Sequence, residues 1–491
     1  MKLFRFRGGV HPAEQKTTRQ LPIRPLPLPT RLYLPLQMHI GAPAVPVVGV
    51  GDQVLKGQLL ARAPSAVSAP VHASTSGVIE AIDEFTAPHP SGLPVRTIVL
   101  RSDGEDRWSE SVVPIDPFRL SPTEIAQRVG EAGIVGMGGA AFPAAVKLQL
   151  GDRNRIHTLI INGGECEPYL TCDDRLMQER PEAVIDGVRL MLRALQCQRA
   201  LIAVEANKPE AQQALRRACK ELSEVQVIEV PSRYPMGSEK QMIQTVTGLE
   251  VPAGKLAAEI GVMVHNVATS YAVYQALRHG RPLISRIVTV SGGALREPTN
   301  LEVPLGTLVE ELIKHCGGFK ETPARQLLGG PMMGTALPHQ QVPIVKGSNG
   351  VLALSAAETG LAPHAQPCIR CGRCAQACPI GLLPMELASR ARHGKLDAAL
   401  DLGLLDCIGC GSCSYTCPAA IPLTQYFNFA KGELARQREE QQKGERTRAL
   451  AQARQLRLER EAEAKRLAAA KRKAEREAKK RAEAAAQQEK V

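Results

Sequence analysis

The sequence predicts a multidomain protein of mixed α/β and α+β class, and three features lead to this interpretation. Short apolar runs joined by glycine turns between residues 51 and 79 indicate a β-module near the amino terminus. Strand-like and helical runs alternate between residues 121 and 283, which favours a parallel sheet with right-handed crossovers. Eight of the 13 cysteines lie between Cys368 and Cys417. Such density in a chain without a secretion signal usually indicates metal binding.

The charge of the chain lies mainly in its last segment. The 491 residues carry a net charge of +12, which by itself is compatible with nucleic-acid binding. Residues 431–491 contain 19 Lys and Arg against 11 Asp and Glu, so +8 of the excess belongs to this tail. The body is nearly balanced, which argues against a specific nucleic-acid partner. We expect neither a signal peptide nor a transmembrane segment.

Composition and pattern divide the chain into six segments. At roughly 100–200 residues per domain, the length predicts three or four folded domains. The segments are an extended Pro- and Arg-rich stretch (1–37), a β-module (38–115), an α/β core (116–283), a small β-grasp module (284–335), a two-cluster ferredoxin-type domain (358–428) and an Ala-, Lys-, Glu- and Arg-rich tail (432–491).

Periodicity predicts the main elements of these segments. The strands of the core are expected at His157–Ile161, Ala200–Val204 and Gln226–Val230, and its helices at Pro122–Ala132, Pro181–Leu195 and Glu210–Glu221. Further elements are expected at Ile287–Val290, Leu301–Val303, Leu308–His315, Pro384–His393 and Leu396–Leu402. The tail has too few leucines for a heptad pattern, so it is a charged helix or a disordered extension. A solvated helix is favoured over a contact with anionic lipid or nucleic acid.

The cysteines form two runs of the pattern C-x2-C-x2-C-x3-C-P, which is that of bacterial two-cluster ferredoxins. In this pattern the fourth cysteine of each run binds the other cluster, and we expect it to start a helix that leads away. The predicted ligands of one [4Fe–4S] cluster are therefore Cys368, Cys371, Cys374 and Cys417. Those of the second are Cys407, Cys410, Cys413 and Cys378. A pair of zinc sites is the alternative, but zinc tetrads usually consist of two C-x2-C pairs with a longer spacer.

The β-module resembles the biotinyl/lipoyl hammerhead of swinging-arm carriers. Those carriers have a lysine at a hairpin tip for acylation, whereas residues 61–68 here contain none. We therefore interpret the module as structural. Residues 284–335 look like a β-grasp module of the soluble-ligand-binding type.

A glycine loop, Gly133–Pro143, contains a formal G-x-G-x-x-A. It follows a helix rather than a strand, so it fails the context expected of a Rossmann fingerprint. A plain glycine turn and a backbone nest that holds a phosphate, with Lys147 nearby, are equally compatible with this pattern. Three further polar segments follow the loop, at Asn162–Pro168, Tyr234–Gln241 and Val264–Thr269.

These four segments, in this order, resemble the flavin-binding subunit of respiratory complex I. The resemblance implies FMN contacts from Gly136, Gly138, Gly139, Lys147, Asn162, Glu165 and Asn266. It also implies that Glu167 and Glu239 face the nicotinamide nucleotide, with Phe142 stacked near it. This chain departs from the family at Met137, Gly164, Ser238 and His265, which weakens the NADH part of the resemblance more than the FMN part.

The complete arrangement is similar to the C subunit of the Rnf-type ion-translocating electron transport complex. The opening Gly8–Pro12 with Lys16, and the segment Asn162–Tyr169 followed by Asp173–Arg175, carry this resemblance. It implies a peripheral oxidoreductase subunit on the cytoplasmic side of the bacterial inner membrane. Its cofactors would be FMN and two [4Fe–4S] clusters, its substrate NAD(H), and its partners other subunits and a ferredoxin-like carrier. The alternatives are a soluble NADH-linked dehydrogenase and a cluster relay or scaffold with a decayed flavin site.

Overall fold

The computed structural model describes residues 3–89, 91–110, 116–152, 155–359 and 364–488. Within these residues the chain forms four sheets and a helical carboxyl-terminal region. The boundary predicted at residue 115 and the last three residues of the predicted tail lie outside the described ranges.

The first module is built from two small sheets, which confirms the β-module predicted from the glycine turns. One sheet has the order β2-β8-β7-β4 and the other β3-β5-β6, and both are antiparallel. Leu32, Leu60 and Ile98 are fully buried in their shared core. The strands of this region are β1 (Ile23–Pro25), β2 (Arg31–Pro35), β3 (Val45–Pro46), β4 (Gln53–Val54), β5 (Leu59–Arg62), β6 (Val71–His72), β7 (Gly77–Thr86) and β8 (Pro94–Ser102).

The prediction of an extended stretch over residues 1–37 is wrong in part. Strand β2 belongs to the first module, and β1 crosses to the third module, where Ile23 to Pro25 pair in parallel with residues 300–302. Proline fixes the backbone near extended values and cannot donate a ladder hydrogen bond. Because of the Pro-rich composition, the sequence pattern does not predict these two strands, both of which lie at sheet edges.

The second module is the predicted parallel α/β core. Its sheet has the order β11-β10-β9-β12, and all neighbours are parallel. Every residue of β9 and β10 is buried, as expected when helices cover both faces. The elements are α1 (Pro122–Glu131), α2 (Ala144–Gln149), β9 (Thr158–Gly163), α3 (Cys172–Glu179), α4 (Pro181–Leu195), β10 (Ala200–Glu205), α5 (Pro209–Ala218), β11 (Val225–Val230), α6 (Glu239–Thr247), β12 (Val262–Asn266) and α7 (Val267–His279).

The third module is a mixed sheet of order β1-β14-β13-β17-β15-β16. Its core contains Val288, Val290 and Leu301, and it packs against one helix. The elements are β13 (Ser285–Ser291), β14 (Thr299–Pro304), α8 (Val309–His315), β15 (Arg325–Leu328), β16 (Thr335–Ala336) and β17 (Gly350–Leu354).

The cysteine-rich region consists of short helices, followed by a long one. The helices are α9 (Ala356–Thr359), α10 (Arg373–Ala377), α11 (Pro384–Arg392), α12 (Leu396–Asp401), α13 (Ser412–Tyr415) and α14 (Leu423–Gln488). The expectation that the fourth cysteine of each run starts a helix is wrong, because Cys378 follows the end of α10 and Cys417 comes after α13.

The tail is a helix, which is one of the two predicted alternatives. Leu423, Phe427 and Leu434 of α14 pack into the cysteine-rich domain at helical spacing. Beyond them almost every described residue is exposed. Among the described helices, none combines the length and the hydrophobicity that a membrane crossing requires.

A buried lysine connects the first three modules. Lys346 lies in the loop between β16 and β17 and is fully buried. Its Nζ donates hydrogen bonds to the carbonyl oxygens of Pro70, at 2.7 Å, and Gly133, at 2.6 Å. Burial lowers the pKa of Lys346 to about 7. The loop of the third module is thereby tied to the first module and to the start of the glycine loop.

We expect the contribution of Lys346 to stability to rise with pH. Between the lowered folded pKa of about 7 and the ordinary lysine value of 10.5, the unfolded chain binds more protons than the folded chain. The difference in unfolding free energy between wild type and Lys346→Met should therefore shift in favour of wild type by up to ~1.4 kcal/mol per pH unit. Anaerobic denaturant unfolding at pH 7 and pH 9 measures this difference.

Lys314→Met is the matched control, since Lys314 is exposed on α8. Its stability difference from wild type should not change with pH. If the difference in unfolding free energy between wild type and Lys346→Met also stays constant with pH, the lowered pKa of Lys346 in the folded protein is contradicted.

Candidate functional site

The structure brings the first predicted cysteine quartet around one cavity near the surface. Cys368, Cys371, Cys374 and Cys417 line a space of about 190 Å³. Cys368 and Cys371 are exposed, whereas Cys374 is buried. Gly372 begins α10 with a φ of +75°, and this left-handed turn lets the chain curve around the cavity between the second and third cysteines.

The second predicted quartet lines a smaller and more buried cavity. Cys378, Cys407, Cys410 and Cys413 surround a space of about 20 Å³. Leu387 and Phe427 close it from the protein interior. Gly411, with a φ of +76°, repeats the turn of Gly372 at the start of α13.

Each cavity takes three cysteines from one run and the fourth from the other, as the sequence pattern predicts. The two short helices α10 and α13, which carry the third cysteines, lie next to each other. In the described part of the chain, no three His, Cys, Asp or Glu side chains converge closely enough for a single metal ion. The thiols of each quartet instead stand apart around a common space, which suits the thiolate ligands of a cluster.

The buried cavity lies against the α/β core. The Tyr234 hydroxyl donates a hydrogen bond of 2.7 Å to the carbonyl oxygen of Cys410. Val10, which belongs to the amino-terminal segment, packs with Tyr234, Ala377 and Cys410 in one apolar cluster. A Cβ on Gly8 would approach the Cys378 carbonyl oxygen to 2.5 Å, so only glycine fits there. The amino-terminal segment thus packs where the core meets the buried cysteine cavity.

The glycine loop passes the amino-terminal end of α7. It is held by the Gly136 amide, which donates to the Phe142 carbonyl at 2.7 Å, and by the Met137 amide, which donates to Thr269 Oγ1 at 3.1 Å. A Cβ on Gly138 would lie 3.4 Å from Asn266 Cβ, whereas one on Gly139, whose φ is +130°, would meet nothing within 4 Å. The backbone at Gly139 therefore has open space beside it, as a loop that holds a phosphate requires.

Lys147 and Glu239 are brought together opposite this loop. Lys147 Nζ lies 2.9 Å from Glu239 Oε2 and donates to the Val264 carbonyl at 3.2 Å. His265 is buried beside them, and burial together with the Lys147 charge lowers its pKa to about 3. His265 Nε2 has no hydrogen-bond partner among the described residues. The imidazole is therefore neutral, and its buried Nε2 is unsatisfied among the described residues.

Asn162 and Asn266 are paired at the carboxyl ends of the neighbouring parallel strands β9 and β12, where α/β sheets bind ligands. The Asn162 amide donates to the Gly237 carbonyl at 2.7 Å, and the Asn266 amide donates to Asp173 Oδ2 at 2.7 Å. These contacts join the segments that the sequence singled out. The structure thus brings Gly138, Lys147, Asn162, Glu239 and Asn266 into one region.

Glu165 does not join that group. Its carboxylate accepts hydrogen bonds from the amide of Asp173, at 2.9 Å, and from that of Asp174, at 3.4 Å, at the start of α3. The positive end of a helix suits a carboxylate. Burial nevertheless raises the pKa of Glu165, and the charge of Lys16 opposes this shift. Glu165 therefore fixes the loop that follows β9, and it also lines a separate space of about 120 Å³ together with Lys16 and Glu205.

Glu167 is held by the third module. Its two carboxylate oxygens accept hydrogen bonds from the amides of Met332, at 2.9 Å, and Met333, at 2.8 Å. Burial raises its pKa to about 7, against the effect of these two donors. A Cβ on Gly330 would lie 2.4 Å from Glu167 Oε2, so this loop needs glycine to cover the carboxylate.

The sequence pattern gives Lys16 no role in the site, whereas the structure does. Its Nζ donates to the carbonyl oxygens of Glu165, Glu167 and Leu170, at 2.8, 2.8 and 2.5 Å. A second buried lysine, Lys208, lies 2.5 Å from Glu205 in an i,i+3 pair that begins at the last residue of β10. This acid–base pair after a parallel strand is a usable signal in the sequence. For Lys16 the sequence offers only the resemblance of the opening segment to the Rnf-type C subunit, which assigns it no role, since that segment lacks any period.

Four family models match the chain along its length. They are the RnfC barrel sandwich hybrid domain (residues 4–105), the Nuo51 FMN-binding domain (129–275), the SLBB domain (287–336) and a 4Fe-4S dicluster domain (367–421). The cofactors that these domains indicate are FMN and [4Fe–4S] clusters. The residues described above fit both, with an open glycine backbone in one region and two thiol-lined cavities in another.

Curated relatives match over most of the chain. A protein of Rhodobacter capsulatus, named as the C subunit of an ion-translocating oxidoreductase complex, is 54% identical over 89% of this chain and 84% of its own length. A protein of Pseudomonas aeruginosa with the same name is 47% identical over 93% of this chain and 59% of its own length. The C subunit of a proton-translocating ferredoxin:NAD(+) oxidoreductase complex of Clostridium ljungdahlii is 44% identical, over 87% of this chain and 93% of its own.

Among solved structures, an NAD+-reducing [NiFe]-hydrogenase in the air-oxidized state overlays with a TM-score of 0.44 and 22% identity, over 57% of this chain and 54% of that chain. The identity and coverage of the curated relatives, and the order of the four domains, lead to one assignment. The chain belongs to the RnfC family, the C subunits of ion-translocating, Rnf-type oxidoreductase complexes.

Proposed function

We propose that this chain exchanges electrons with NAD(H) at its α/β core and passes them through two [4Fe–4S] clusters to a partner in a membrane complex that translocates ions. The observation that carries the proposal is the serial placement of the two cysteine cavities. One lies against the core through Tyr234 and Cys410, and the other has Cys368 and Cys371 at the surface. Electrons can therefore move from the interior to an exposed exit.

The two quartets are proposed as the cluster ligands, with the crossing that the cavities show. Cys378, Cys407, Cys410 and Cys413 hold the cluster next to the core. Cys368, Cys371, Cys374 and Cys417 hold the exposed cluster. Lys431 donates a hydrogen bond of 2.5 Å to the Cys407 carbonyl, which ties α14 to the first loop of the buried site.

The flavin is proposed to bind among the glycine loop and the ends of β9 and β12. FMN, when bound, exchanges a hydride with a nicotinamide and releases electrons singly. Lys147, Asn162 and Asn266, with the loop backbone at Gly136, Gly138 and Gly139, hold it there, and Phe142 borders the same loop. Glu165 contributes indirectly, by fixing the loop that follows β9.

The nicotinamide nucleotide is proposed to approach from the side of Glu239. Glu239 is about half exposed, at 45% of its side chain, and it is paired with Lys147. Glu167, which the resemblance also places there, is covered by Met332 and Met333. Contact between Glu167 and a nucleotide would thus require the loop of residues 330–334 to move.

The surroundings of the exposed cysteine cavity favour an acidic electron-transfer partner. Arg370 and Arg392 line it and are exposed, the exposed Arg373 lies between the lining residues Gly372 and Cys374, and Ile369 is 69% exposed beside Cys368. Opposite charge steers such encounters and sets their orientation. This basic surface supports a ferredoxin-like subunit as the partner, with the chain held peripherally on the cytoplasmic face of the inner membrane.

One observation favours a second candidate, a cluster relay without flavin chemistry. Lys147 and Glu239, both expected to bind cofactor or substrate, are paired with each other. In that case the two clusters would carry electrons between partners, and the core would serve as a scaffold.

The decisive experiment adds NADH anaerobically to the purified full-length protein loaded with FMN and clusters. We expect NADH to bleach the flavin absorbance and then to reduce the clusters, because the buried cavity contacts the core.

Glu239→Gln should raise the KM for NADH by about tenfold, as loss of one charged contact does. Glu229→Gln is the control, since Glu229 is exposed on β11. Flavin bound but not reduced by NADH would contradict the proposal and favour the relay.

Membrane association separates the proposed complex subunit from a soluble dehydrogenase. The chain should sediment with membranes and be released by urea or high salt, as a peripheral subunit is. Protein that stays in the soluble fraction when its complex is expressed would favour the soluble alternative.

The cysteine assignment predicts a graded loss of iron and function. Cys371→Ala and Cys410→Ala should each lower iron and acid-labile sulfide by about half, because each removes a ligand of one cluster. Cys371→Ala should keep NADH-dependent flavin reduction and lose transfer to the membrane partner. Cys219→Ala is the control, since Cys219 is buried at the end of α5, away from both cavities. Unchanged iron in Cys371→Ala or Cys410→Ala would refute the ligand assignment.

We expect Lys16→Met to weaken flavin binding, although Lys16 is not one of the residues of the proposed flavin region. It removes the Lys16 donor from three carbonyl oxygens of the loop 165–170, although the Glu165 oxygen keeps a second donor, Lys208, at 3.4 Å. Each buried oxygen left unsatisfied costs about 1–3 kcal/mol. Flavin content after gel filtration should fall while cluster absorbance persists. Lys220→Met, on the exposed side of the core, is the control. Full flavin retention in Lys16→Met would show that the loop holds its shape alone.

A further inference from the structure

A large cleft lies where the amino-terminal segment, the first module, the core and the third module meet. It has a volume of about 600 Å³, which is within the range of small-molecule sites in proteins. Its walls include Leu26, Trp108, Tyr271 and Glu302, one from each of these four parts. Sites for small molecules occur preferentially at such junctions between domains.

The cleft is separate from the proposed flavin and NAD(H) region. Among the described residues that line it, there is none of the glycines, Lys147, Asn162, Glu165, Glu239 or Asn266. Of the glycine loop only Met137 reaches it, and that side chain is buried and turned towards Arg286. The loop therefore has the flavin region on one side and this cleft on the other.

The charges of the cleft leave two guanidinium groups available. Lys56 pairs with Asp106 at 2.5 Å, and Arg180 pairs with Glu302 at 2.6 Å, so these four groups satisfy each other. The remaining cations that line the cleft are Arg281 and Arg286.

Neither of these arginines forms an ion pair within the described ranges. Arg286, only 4% exposed, donates to the Ser348 carbonyl at 3.0 Å. Arg281 lies over the Trp108 ring, 5.3 Å from its centroid. The remaining acid, Asp173, accepts a hydrogen bond from the Asn266 amide at 2.7 Å. Four cationic and three acidic side chains line the cleft, so a net positive charge is left that an anion would complete.

An unsatisfied hydroxyl faces the same cleft. Ser74 Oγ is on the first module, its residue is 2% exposed, and it has no hydrogen-bond partner among the described residues. Buried polar atoms are paired in the large majority of cases, by protein, water or ligand. This hydroxyl is an independent indication of a polar ligand atom.

We infer that this cleft binds a small organic anion, whose carboxylate or phosphate meets Arg281, Arg286 and Ser74, and whose less polar body lies along Trp108 and Leu283. The ligand would hold the first module, the core and the third module in one arrangement, because its contacts come from all three. This site is additional to the proposed electron-transfer function and takes no part in it.

Trp108 makes the proposal directly testable, since it is the single tryptophan of the sequence. The full-length protein with FMN and clusters is titrated with ADP and with citrate, and tryptophan fluorescence is followed. We expect a saturable change with at least one of these probes. Arg281→Gln should weaken it at least about tenfold, as loss of a charge-assisted contact does. NADH-dependent flavin reduction should remain as in wild type.

Arg296→Gln is the matched control, since Arg296 is exposed on the third module and does not line the cleft. Arg281→Lys keeps the charge and should retain part of the response. No saturable change with either probe, or the same response in Arg281→Gln, would overturn the proposal. If inorganic phosphate binds as tightly as both probes, the inference that the ligand has an organic body along Trp108 and Leu283 is wrong.

Discussion

The rest of the structure depends on the buried ammonium group of Lys16. A segment that belongs to no sheet or helix brings one side chain under the loop that follows β9, and that side chain satisfies three of its carbonyl oxygens. Burial lowers the pKa of Lys16, while the carboxylate of Glu165 opposes this effect. A buried charge is tolerated only when it is paired and hydrogen-bonded. The loop can therefore keep this shape only while the amino-terminal segment is docked.

The same loop then determines how the modules meet. Glu165 holds α3, and Glu167 holds the third-module loop at Met332 and Met333. The carbonyl of Met332 in turn lies so close to Gly411 that a Cβ there would approach it to 2.7 Å. A continuous set of contacts thus runs from Lys16 to the buried cysteine cavity. Its members are backbone groups and the side chains of Lys16, Glu165 and Glu167, which their hydrogen bonds hold in place.

The parts of the fold that the sequence predicts best are those in which local pattern and burial agree. The helix at Pro181–Leu195 is predicted with its observed bounds, because a proline at its first turn and a strong apolar period mark it. The cysteine quartets are also predicted in their observed pairing, because ligand spacing fixes that arrangement with little help from the rest of the chain.

The parts that the sequence does not predict depend on contacts between distant segments. Strand β12, Val262–Asn266, is five residues long and stands out in the sequence only as part of a polar segment, since its strand character comes from pairing with β9. The pairing of Ile23 with Asn300 joins residues far apart in sequence, so no local signal can show it. The roles of Glu165 and Glu167 do not follow from motif alone for the same reason. Their partners, a helix end and a loop of another module, are supplied by the tertiary fold.

This dependence on distant contacts explains why the site is assembled at junctions rather than within one module. The proposed flavin region lies between the core and its glycine loop, the buried cysteine cavity lies against Tyr234, and the cleft with Arg281 and Arg286 is shared by several modules. A parallel sheet with both faces covered supplies rigid strand ends, and loops positioned by such a scaffold carry function. Each of these sites contains residues from more than one module. A change in the packing of one module therefore alters the geometry of the sites that it shares with its neighbours.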